Sequence, residues 1–235
     1  MESERLNAYK EREAKRVEIN LKHLENGVEF VDLYAAYIDE SVEIGAGTVI
    51  GPCVTLKGNT VIGENCIIGQ NSRIEDSRIG DGVDIQSSVV LESSVGEGTT
   101  VGPFAYLRPK SNVGAHCKIG DFVEVKNSSF GDGSKASHLT YIGDSDVGQN
   151  VNLGCGVVFV NYDGTNKFRS TVDDGAFIGC NSNLVSPVHV GEGAYVAAGS
   201  TVTEDVEADA LYIARARGEK KQGWVSVKGI LKKKK

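Results

Sequence analysis

The chain has few of the residues that tie disulfide-rich or zinc-stabilised proteins together. Its cysteines are odd in number and form no C-x-x-C pair, which indicates reduced thiols. Proline occurs only four times, and aromatic residues make up 7% of the chain. No apolar run approaches the roughly 18 residues of a membrane span. The charged start, MESERLNAYKEREAKR, has no signal-peptide pattern. We therefore expect a cytoplasmic protein without a membrane partner.

An excess of acidic residues also limits the class of partner. The formal net charge is −7, which argues against a nucleic-acid partner.

Helix-forming residues fill positions 5–25, and Asn26–Gly27 supplies a C-terminal stop. The predicted organisation is an N-terminal helical arm at 1–27, a repeat domain at 28–213 and a C-terminal tail at 214–235.

A six-residue repeat dominates the middle of the chain, in units such as IGAGTV and IGENCI. On a helix, six steps of about 100° would scatter the aliphatic positions over all faces. On a strand they all point the same way, so each unit is a short strand followed by a turn. Three units per coil predict a parallel β-helix, a triangular prism of roughly nine coils. The general rule for parallel crossovers would make it right-handed. The predicted core positions are Ile44, Ile50, Leu56, Val61/Ile62, Ile68, Ile74, Ile79, Ile85, Leu91, Val95, Val101, Leu107, Val113, Ile119, Val125, Ile142, Val147, Leu153, Phe159, Val172, Ile178, Leu184, Val190, Val196 and Val202.

Two interruptions of the repeat point to a functional site. Ala136 stands where an aliphatic residue is due, just before SHLTYIGD, and the smaller side chain forgoes about 1.5–3 kcal/mol of burial. A sequence that breaks its own rule at such a cost indicates function, which makes His138 a candidate. An insertion at 160–171, VNYDGTNKFRST, predicts a binding loop. Its groups suited to phosphate and carbonyl recognition are Asn161, Tyr162, Lys167 and Arg169.

Cations upstream complete a possible chemistry. Arg108 and Lys126 follow core positions one coil apart, close enough to hold one anion. A histidine, whose ordinary pKa is about 6.5, is a suitable base for an amine whose pKa is about 8. Together these groups favour acyl transfer to a phosphorylated amine, with a backbone amide or an asparagine stabilising the oxyanion.

The repeat resembles that of the hexapeptide-repeat acyltransferases. This resemblance implies a left-handed β-helix, against the general crossover rule, and a homotrimer with sites between neighbouring prisms. The motifs GPFAYLRP, GDFVEVKN, GSKASHLTYIGD, GQNVNLGCG, NYDGTNKF and VAAGSTVTEDV resemble, more specifically, the bacterial glucosamine-1-phosphate N-acetyltransferases. These form one half of a bifunctional enzyme of UDP-N-acetylglucosamine synthesis. The resemblance implies acetyl transfer from acetyl-CoA to the amine of glucosamine 1-phosphate.

The same resemblance implies a role for each matching residue. His138 is similar to the general base and Asn152 to a sugar contact. The residues that match the grip on the sugar phosphate are Arg108, Lys126, Tyr141 and Lys167. Those that match contacts of acetyl-CoA are Cys155, Asn161, Tyr162, Cys180, Ala198 and Arg215. Cys155 stands where better-known relatives have alanine, and Cys180 where they have serine, so both would expose the site to thiol-reactive agents.

The sequence also bears on activities other than acetyl transfer to glucosamine 1-phosphate. The glycine-rich signature of the uridyltransferase half is absent from the sequence, so coupling of UTP and a need for metal are not expected. Another phosphorylated amino sugar is an alternative acceptor. A metal-dependent hydratase needs three convergent histidines, and the four histidines show no such spacing. A non-catalytic scaffold would be expected to keep its aliphatic positions through SHLTY.

Overall fold

The computed structural model describes residues 3–229, so residues 230–235 of the predicted tail lie outside the described residues. A helix, Glu4–Glu25, begins at Ser3, whose hydroxyl accepts a hydrogen bond from the amide of Leu6. It ends at Asn26, followed by Gly27 at φ +89°. The predicted helical stop at Asn26–Gly27 is confirmed.

Two polar side chains, Arg16 and Asn20, donate hydrogen bonds from this helix to the segment that follows it. Nη1 of Arg16 donates to the carbonyl oxygens of Tyr34 and Ala36, at 2.8 and 2.9 Å. The buried Asn20 also donates to Ala36, at 3.1 Å. Two shorter helical segments complete the helical content of residues 3–229, a 3-10 turn at Leu33–Ala35 and a helix at Trp224–Val227.

Three parallel sheets form the walls of a prism, and every coil of the chain contributes to them in turn. The strands of sheet 1 are Glu29–Phe30, Val49–Ile50, Ile67–Ile68, Asp84–Ile85, Thr100–Val101, Lys118–Asp121, Lys135–His138, Asn152–Leu153, Phe177–Ile178, Tyr195–Val196 and Leu211–Tyr212. The strands of sheet 2 are Tyr37–Ile38, Thr55–Lys57, Arg73–Glu75, Val89–Leu91, Tyr106–Leu107, Glu124–Lys126, Tyr141–Gly143, Val158–Val160, Asn183–Val185 and Thr201–Val202. The strands of sheet 3 are Glu43–Ile44, Val61–Ile62, Arg78–Ile79, Ser94–Val95, Asn112–Val113, Ser129–Phe130, Ser145–Val147, Ser170–Val172 and His189–Val190.

The repeat places one aliphatic side chain per strand inside the prism. Register is maintained from coil to coil, as between Ile119 and Ala136 or between Leu107 and Val125. Each coil therefore stacks its core residue on that of its neighbour, and together they form one continuous buried cluster. The fold class is a left-handed parallel β-helix of about ten turns. The repeat predicted the parallel β-helix and the resemblance predicted its left hand, whereas the right hand expected from the general crossover rule was wrong.

Three details differ from the sequence analysis. The core residue of strand Val89–Leu91 is Val90, not Leu91, because the unit after Ile85 has five residues rather than six. The coils begin before Ile44, the first predicted core position, since Glu29–Phe30 and Tyr37–Ile38 already pair with the next coil. This early start adds a coil to the nine predicted.

The interrupted unit is buried even so. Ala136 is fully buried at the core position, and Phe130, one of the largest fully buried side chains, fills the core position of the preceding strand. The insertion leaves the prism between Val160 and Ser170. Neither helix in the described part of the chain combines the length and the apolar composition needed to cross a membrane.

Candidate active site

The imidazole of His138 lies beside the carboxylate of Asp121 on the preceding coil. Strand Lys135–His138 pairs in register with Lys118–Asp121, which sets the two side chains opposite one another. Nδ1 of His138 is 2.9 Å from Oδ1 of Asp121. A backbone amide and His138 lower the pKa of Asp121, so this carboxylate is charged at neutral pH. Because the ionised carboxylate can only accept a hydrogen bond, Nδ1–H donates to Asp121, which leaves Nε2 of the neutral ring free to accept a proton.

His138 belongs to a row of residues at the corner where sheet 1 passes into sheet 2, one on each coil. We call this row, Asp121, His138, Cys155, Cys180 and Ala198, the His138 column. Asp121 and His138 are directly in register. The other three members lie two residues after Leu153, Ile178 and Val196, which are in register on successive coils of sheet 1. Backbone hydrogen bonds cross the corner beside them, among them Asn181 N to Cys155 O and Gly199 N to Cys180 O, both 2.8 Å.

Arg215 lies at the end of this column. The amide of Ala214 donates to the hydroxyl of Ser200, and the carbonyl of Ala214 accepts from the amide of Thr201. A side-chain carbon on Gly199 would lie 3.8 Å from Cδ of Arg215. The structure thus brings together four of the six predicted coenzyme residues, Cys155, Cys180, Ala198 and Arg215, along one edge of the prism.

A second group surrounds Lys126, at the C-terminal end of strand Glu124–Lys126 of sheet 2. Nζ of Lys126 is 2.9 and 3.1 Å from the two carboxylate oxygens of Asp144, which is 7% exposed. Asn127 and Asn161 donate to the same carboxylate through Nδ2, at 2.6 and 2.5 Å. Burial opposes ionisation of Asp144, but these donors hold its pKa below the ordinary 3.8.

The Lys126 side chain is correspondingly held in its charged form. Burial lowers the pKa of Lys126, but the Asp144 carboxylate outweighs burial and raises it. Lys167, from the inserted loop, lies next to Lys126. Asn161 also reaches the hydroxyl of Tyr141, at 3.4 Å. The buried carboxylate therefore ties a strand of the prism to the inserted loop.

Arg108 lies on the strand beside Lys126, as the spacing predicted. Leu107 and Val125 are in register, and the residue after each is the cation. Nη1 of Arg108 is 2.8 Å from Oε1 of Glu124, and the two side chains are each 39% exposed. Tyr141 is in register with Glu124, so it stands on the next coil of the same face. Sheet 2 consequently displays Arg108, Lys126 and Tyr141 on one face, and Tyr141 follows His138 by three residues.

The inserted loop uses one predicted phosphate-binding group differently. Arg169 forms a forked ion pair with both carboxylate oxygens of Asp146, and its Nη1 donates to the carbonyl of Asn127 at 2.8 Å. This side chain fastens the loop to sheet 3, while its suitability for phosphate recognition stays a prediction. The hydroxyl of the exposed Tyr162 donates to the carbonyl of Gly164 at 2.6 Å.

Asn152 is the one predicted acceptor-binding residue on another face. It lies on sheet 1, in register with Lys135 and Phe177. The corner of the His138 column separates it from the face of sheet 2. A single copy of the chain therefore does not bring Asn152 together with Lys126.

Sequence reasoning missed the carboxylates and one amide that hold the candidate residues. Asp121, Glu124 and Asp144 lie 17, 16 and 18 residues from their partners. These separations equal one coil, so an acidic residue one coil from each candidate base or cation was the available signal. The missed amide is Asn127, adjacent in sequence to Lys126.

Comparison with known proteins shows which proteins this chain is similar to. Residues 34–108 match the sequence model of the GMPPB C-terminal domain, and residues 169–204 match that of the bacterial transferase hexapeptide (six repeats). The chain is 60% identical over 218 residues to the bifunctional protein GlmU of Alkaliphilus oremlandii (strain OhILAs), covering 93% of this chain and 48% of that protein. The chain is a hexapeptide-repeat protein homologous to about half of bifunctional GlmU.

Other relatives extend the same picture. GlmU of Clostridioides difficile (strain 630) is 58% identical over 224 residues, covering 95% of this chain and 49% of that protein. The chain thus spans about half the length of the GlmU proteins that it matches. Among solved structures, the UDP-N-acetylglucosamine acyltransferase from Campylobacter jejuni is 20% identical with a TM-score of 0.44, covering 85% of this chain and 77% of that one.

Proposed function

We propose that this chain is a glucosamine-1-phosphate N-acetyltransferase that uses acetyl-CoA and acts in the cytoplasm. The observation that carries the proposal is the Asp121–His138 pair at the edge of a face that displays Arg108 and Lys126. Its motifs resemble those of the glucosamine-1-phosphate N-acetyltransferases, and the chain is 60% identical over 218 residues to one GlmU protein. The product is N-acetylglucosamine 1-phosphate, a step in UDP-N-acetylglucosamine synthesis.

In this proposal His138 is the general base. Asp121 holds the ring so that Nε2 faces the amine, which must lose a proton before it attacks the thioester. The amine nitrogen forms a bond to the acetyl carbon, and the amine proton passes to Nε2. Collapse of the tetrahedral intermediate breaks the carbon–sulfur bond and releases the coenzyme thiol. Arg108, Lys126, Tyr141 and Lys167 hold the sugar phosphate, because cations and a hydroxyl favour a dianion.

The coenzyme would lie along the His138 column. Cys155, Cys180 and Ala198 present small side chains on successive coils, which leaves room for an extended chain beside them. Arg215, at the end of the column, supplies a cation for the coenzyme phosphates. Asn161 lies beside Asp144 at the opposite edge of sheet 2, and Tyr162 follows it on the inserted loop, so the column does not account for their predicted contacts with the coenzyme.

Asn152 supports a site shared between copies. Because it lies on sheet 1 while Arg108 and Lys126 lie on sheet 2, one copy would supply Asn152 and another the cations. This division fits the proposed homotrimer. Mixing inactive His138→Ala chains with inactive Asn152→Ala chains is expected to restore part of the activity, since some mixed sites then receive both intact residues. Failure to restore activity in mixed trimers would place the whole site on one copy.

The proposed reaction is tested by release of the coenzyme thiol from acetyl-CoA with glucosamine 1-phosphate as acceptor. Release is expected to depend on the acceptor and to fall by about 10²-fold or more in His138→Ala. The matched control is His189→Ala, because His189 pairs with Asp173 at 2.7 Å with similar exposure but on sheet 3. No acceptor-dependent release from the folded chain would overturn the proposal. Release with galactosamine 1-phosphate alone would favour another amino sugar.

A further inference from the structure

Two thiols lie next to one another in the His138 column. Strands Asn152–Leu153 and Phe177–Ile178 are in register, and two residues further along each chain come Cys155 and Cys180. The hydrogen bond from Asn181 N to Cys155 O, 2.8 Å long, shows that the register persists at the corner. The two side chains therefore leave the prism side by side.

The spacing of adjacent coils suits a covalent link between these thiols. Neighbouring parallel strands are about 4.8 Å apart, and the α-carbons of disulfide-linked cysteines are usually about 4.4–6.8 Å apart. In-register side chains project in the same direction, so no reversal of a side chain is needed. Glycines adjoin both positions, Gly154 and Gly156 around Cys155 and Gly179 before Cys180, and Gly156 has φ +74°. The β-carbons of in-register side chains remain about 4.8 Å apart, whereas a disulfide needs about 3.5–4.5 Å, so the link requires the two coils to approach by a few tenths of an ångström at this corner.

Exposure combined with a neighbouring thiol distinguishes this pair from the other cysteines. Cys180 is exposed and Cys155 is partly buried. Cys66 and Cys117 are buried in the core, where burial raises the pKa of both thiols and makes them less reactive. Cys53 is exposed, but the coils on either side place Ala35 and Asn71 beside it.

We propose that Cys155 and Cys180 form a dithiol modification site that small-molecule disulfides convert to an intramolecular disulfide. The exposed Cys180 thiolate attacks the reagent, forms a mixed disulfide and releases one reduced thiol. The Cys155 thiolate then attacks Cys180 Sγ and releases the second. In sum, the two cysteines lose two hydrogens and the reagent disulfide gains them. The link bridges two coils in an exposed corner, so a reductant reverses it readily.

Formation of the link also has a consequence that rests on the proposed function. The joined sulfur atoms would occupy the part of the column between His138 and Ala198, where the coenzyme chain would lie. We expect the disulfide to weaken binding of acetyl-CoA by about tenfold or more, because the coenzyme loses contacts along two coils.

The test uses oxidised glutathione on the full, folded chain, followed by non-reducing digestion and mass spectrometry. The expected product is a peptide pair joined through Cys155 and Cys180 that disappears after dithiothreitol. Cys155→Ser is expected to retain glutathione on Cys180 instead, since the resolving thiol is missing. Cys53→Ser is the matched control and is expected to form the link as the unaltered chain does. Separate glutathione adducts on the two cysteines, with no link between them, would overturn the proposal.

A second measurement separates this proposal from the proposed function. Titration calorimetry compares acetyl-CoA binding by the oxidised and the reduced chain, each in the Cys53→Ser background. If the link forms and binding weakens, both ideas are supported. If the link forms while binding is unchanged, the dithiol site stands and the coenzyme path along the column is refuted. If no link forms, the dithiol site is refuted whatever the acetyltransferase activity.

Discussion

Replacing Asp144 with alanine removes the group that joins Lys126 to the inserted loop. Its carboxylate accepts hydrogen bonds from Lys126, Asn127 and Asn161. The side chain of Asp144 is 10% exposed and that of Lys126 is 18% exposed. The substitution therefore leaves a largely buried ammonium without its counter-ion and two amide donors without their acceptor.

The expected cost follows from these contacts. Removing one partner of a buried ion pair costs about 3–5 kcal/mol, and an unsatisfied buried donor costs about 1–3 kcal/mol. The cluster borders the inserted loop, and movement of residues 161–169 lets water reach the freed groups. We expect a loss of about 2–4 kcal/mol in the free energy of unfolding. Because each coil contacts only its neighbours, the loss is expected to concentrate around the loop.

Denaturant unfolding followed by circular dichroism gives the total loss, and hydrogen exchange shows where protection falls. Protection is expected to drop at residues 126–128, 144–146 and 161–170. The matched control is Glu124→Ala, which removes the partner of Arg108 from a half-exposed pair of similar length. We expect this control to cost less than about 1 kcal/mol. Equal losses in the two variants, or unchanged exchange around the loop, would refute the reasoning.

The Asp144 contribution also has a defined pH dependence. Its pKa is lowered from the ordinary 3.8 in the folded chain. The stabilisation is therefore complete well above that value and is lost as the pH falls through the lower, folded-state pKa. The difference in stability between the unaltered chain and Asp144→Ala is expected to shrink below about pH 4. A difference that grows on acidification would contradict a charged Asp144.

Three further substitutions address the candidate site. Asp121→Asn is expected to lower kcat/KM by about 10–100-fold with little change in folding. The control is Asp173→Asn, in the matched pair with His189 on sheet 3. Equal effects of the two substitutions would show that Asp121 does not position His138. Gly143→Ala would put a carbon 2.4 Å from the hydroxyl of Tyr141, so the ring must move and the KM for the sugar phosphate is expected to rise; an unchanged KM would count against Tyr141. Arg169→Lys loses the forked pair with Asp146, and faster hydrogen exchange in residues 161–169 is expected, whereas unchanged exchange would show that the loop is held elsewhere.

Much of the prism was predictable from the sequence because its core is one-dimensional. A six-residue spacing of aliphatic side chains fits a strand and not a helix, so it specifies coils without knowledge of distant contacts. The same spacing predicted that Arg108 and Lys126 lie on adjacent coils, and the structure agrees. It misplaced the core residue after Ile85, because a five-residue unit ends at Val90 and a six-residue unit at Leu91, and both residues are apolar.

The candidate site depended more on tertiary structure. Sequence motifs singled out His138 and the cations, since those residues interrupt a regular pattern. Their partners, Asp121 and Asp144, cannot be told from other polar residues by sequence alone. The number of residues in each coil, which varies, decides that Asp121 faces His138 and that Asp144 faces Lys126. The fate of Arg169 was likewise undetermined, because a flexible loop allows its side chain either to bind a ligand or to fasten the loop. Sequence by itself therefore determined the coil and the location of its interruption, through short-range periodicity. Only the tertiary structure decided which charges meet, because those contacts depend on the exact number of residues in every intervening coil.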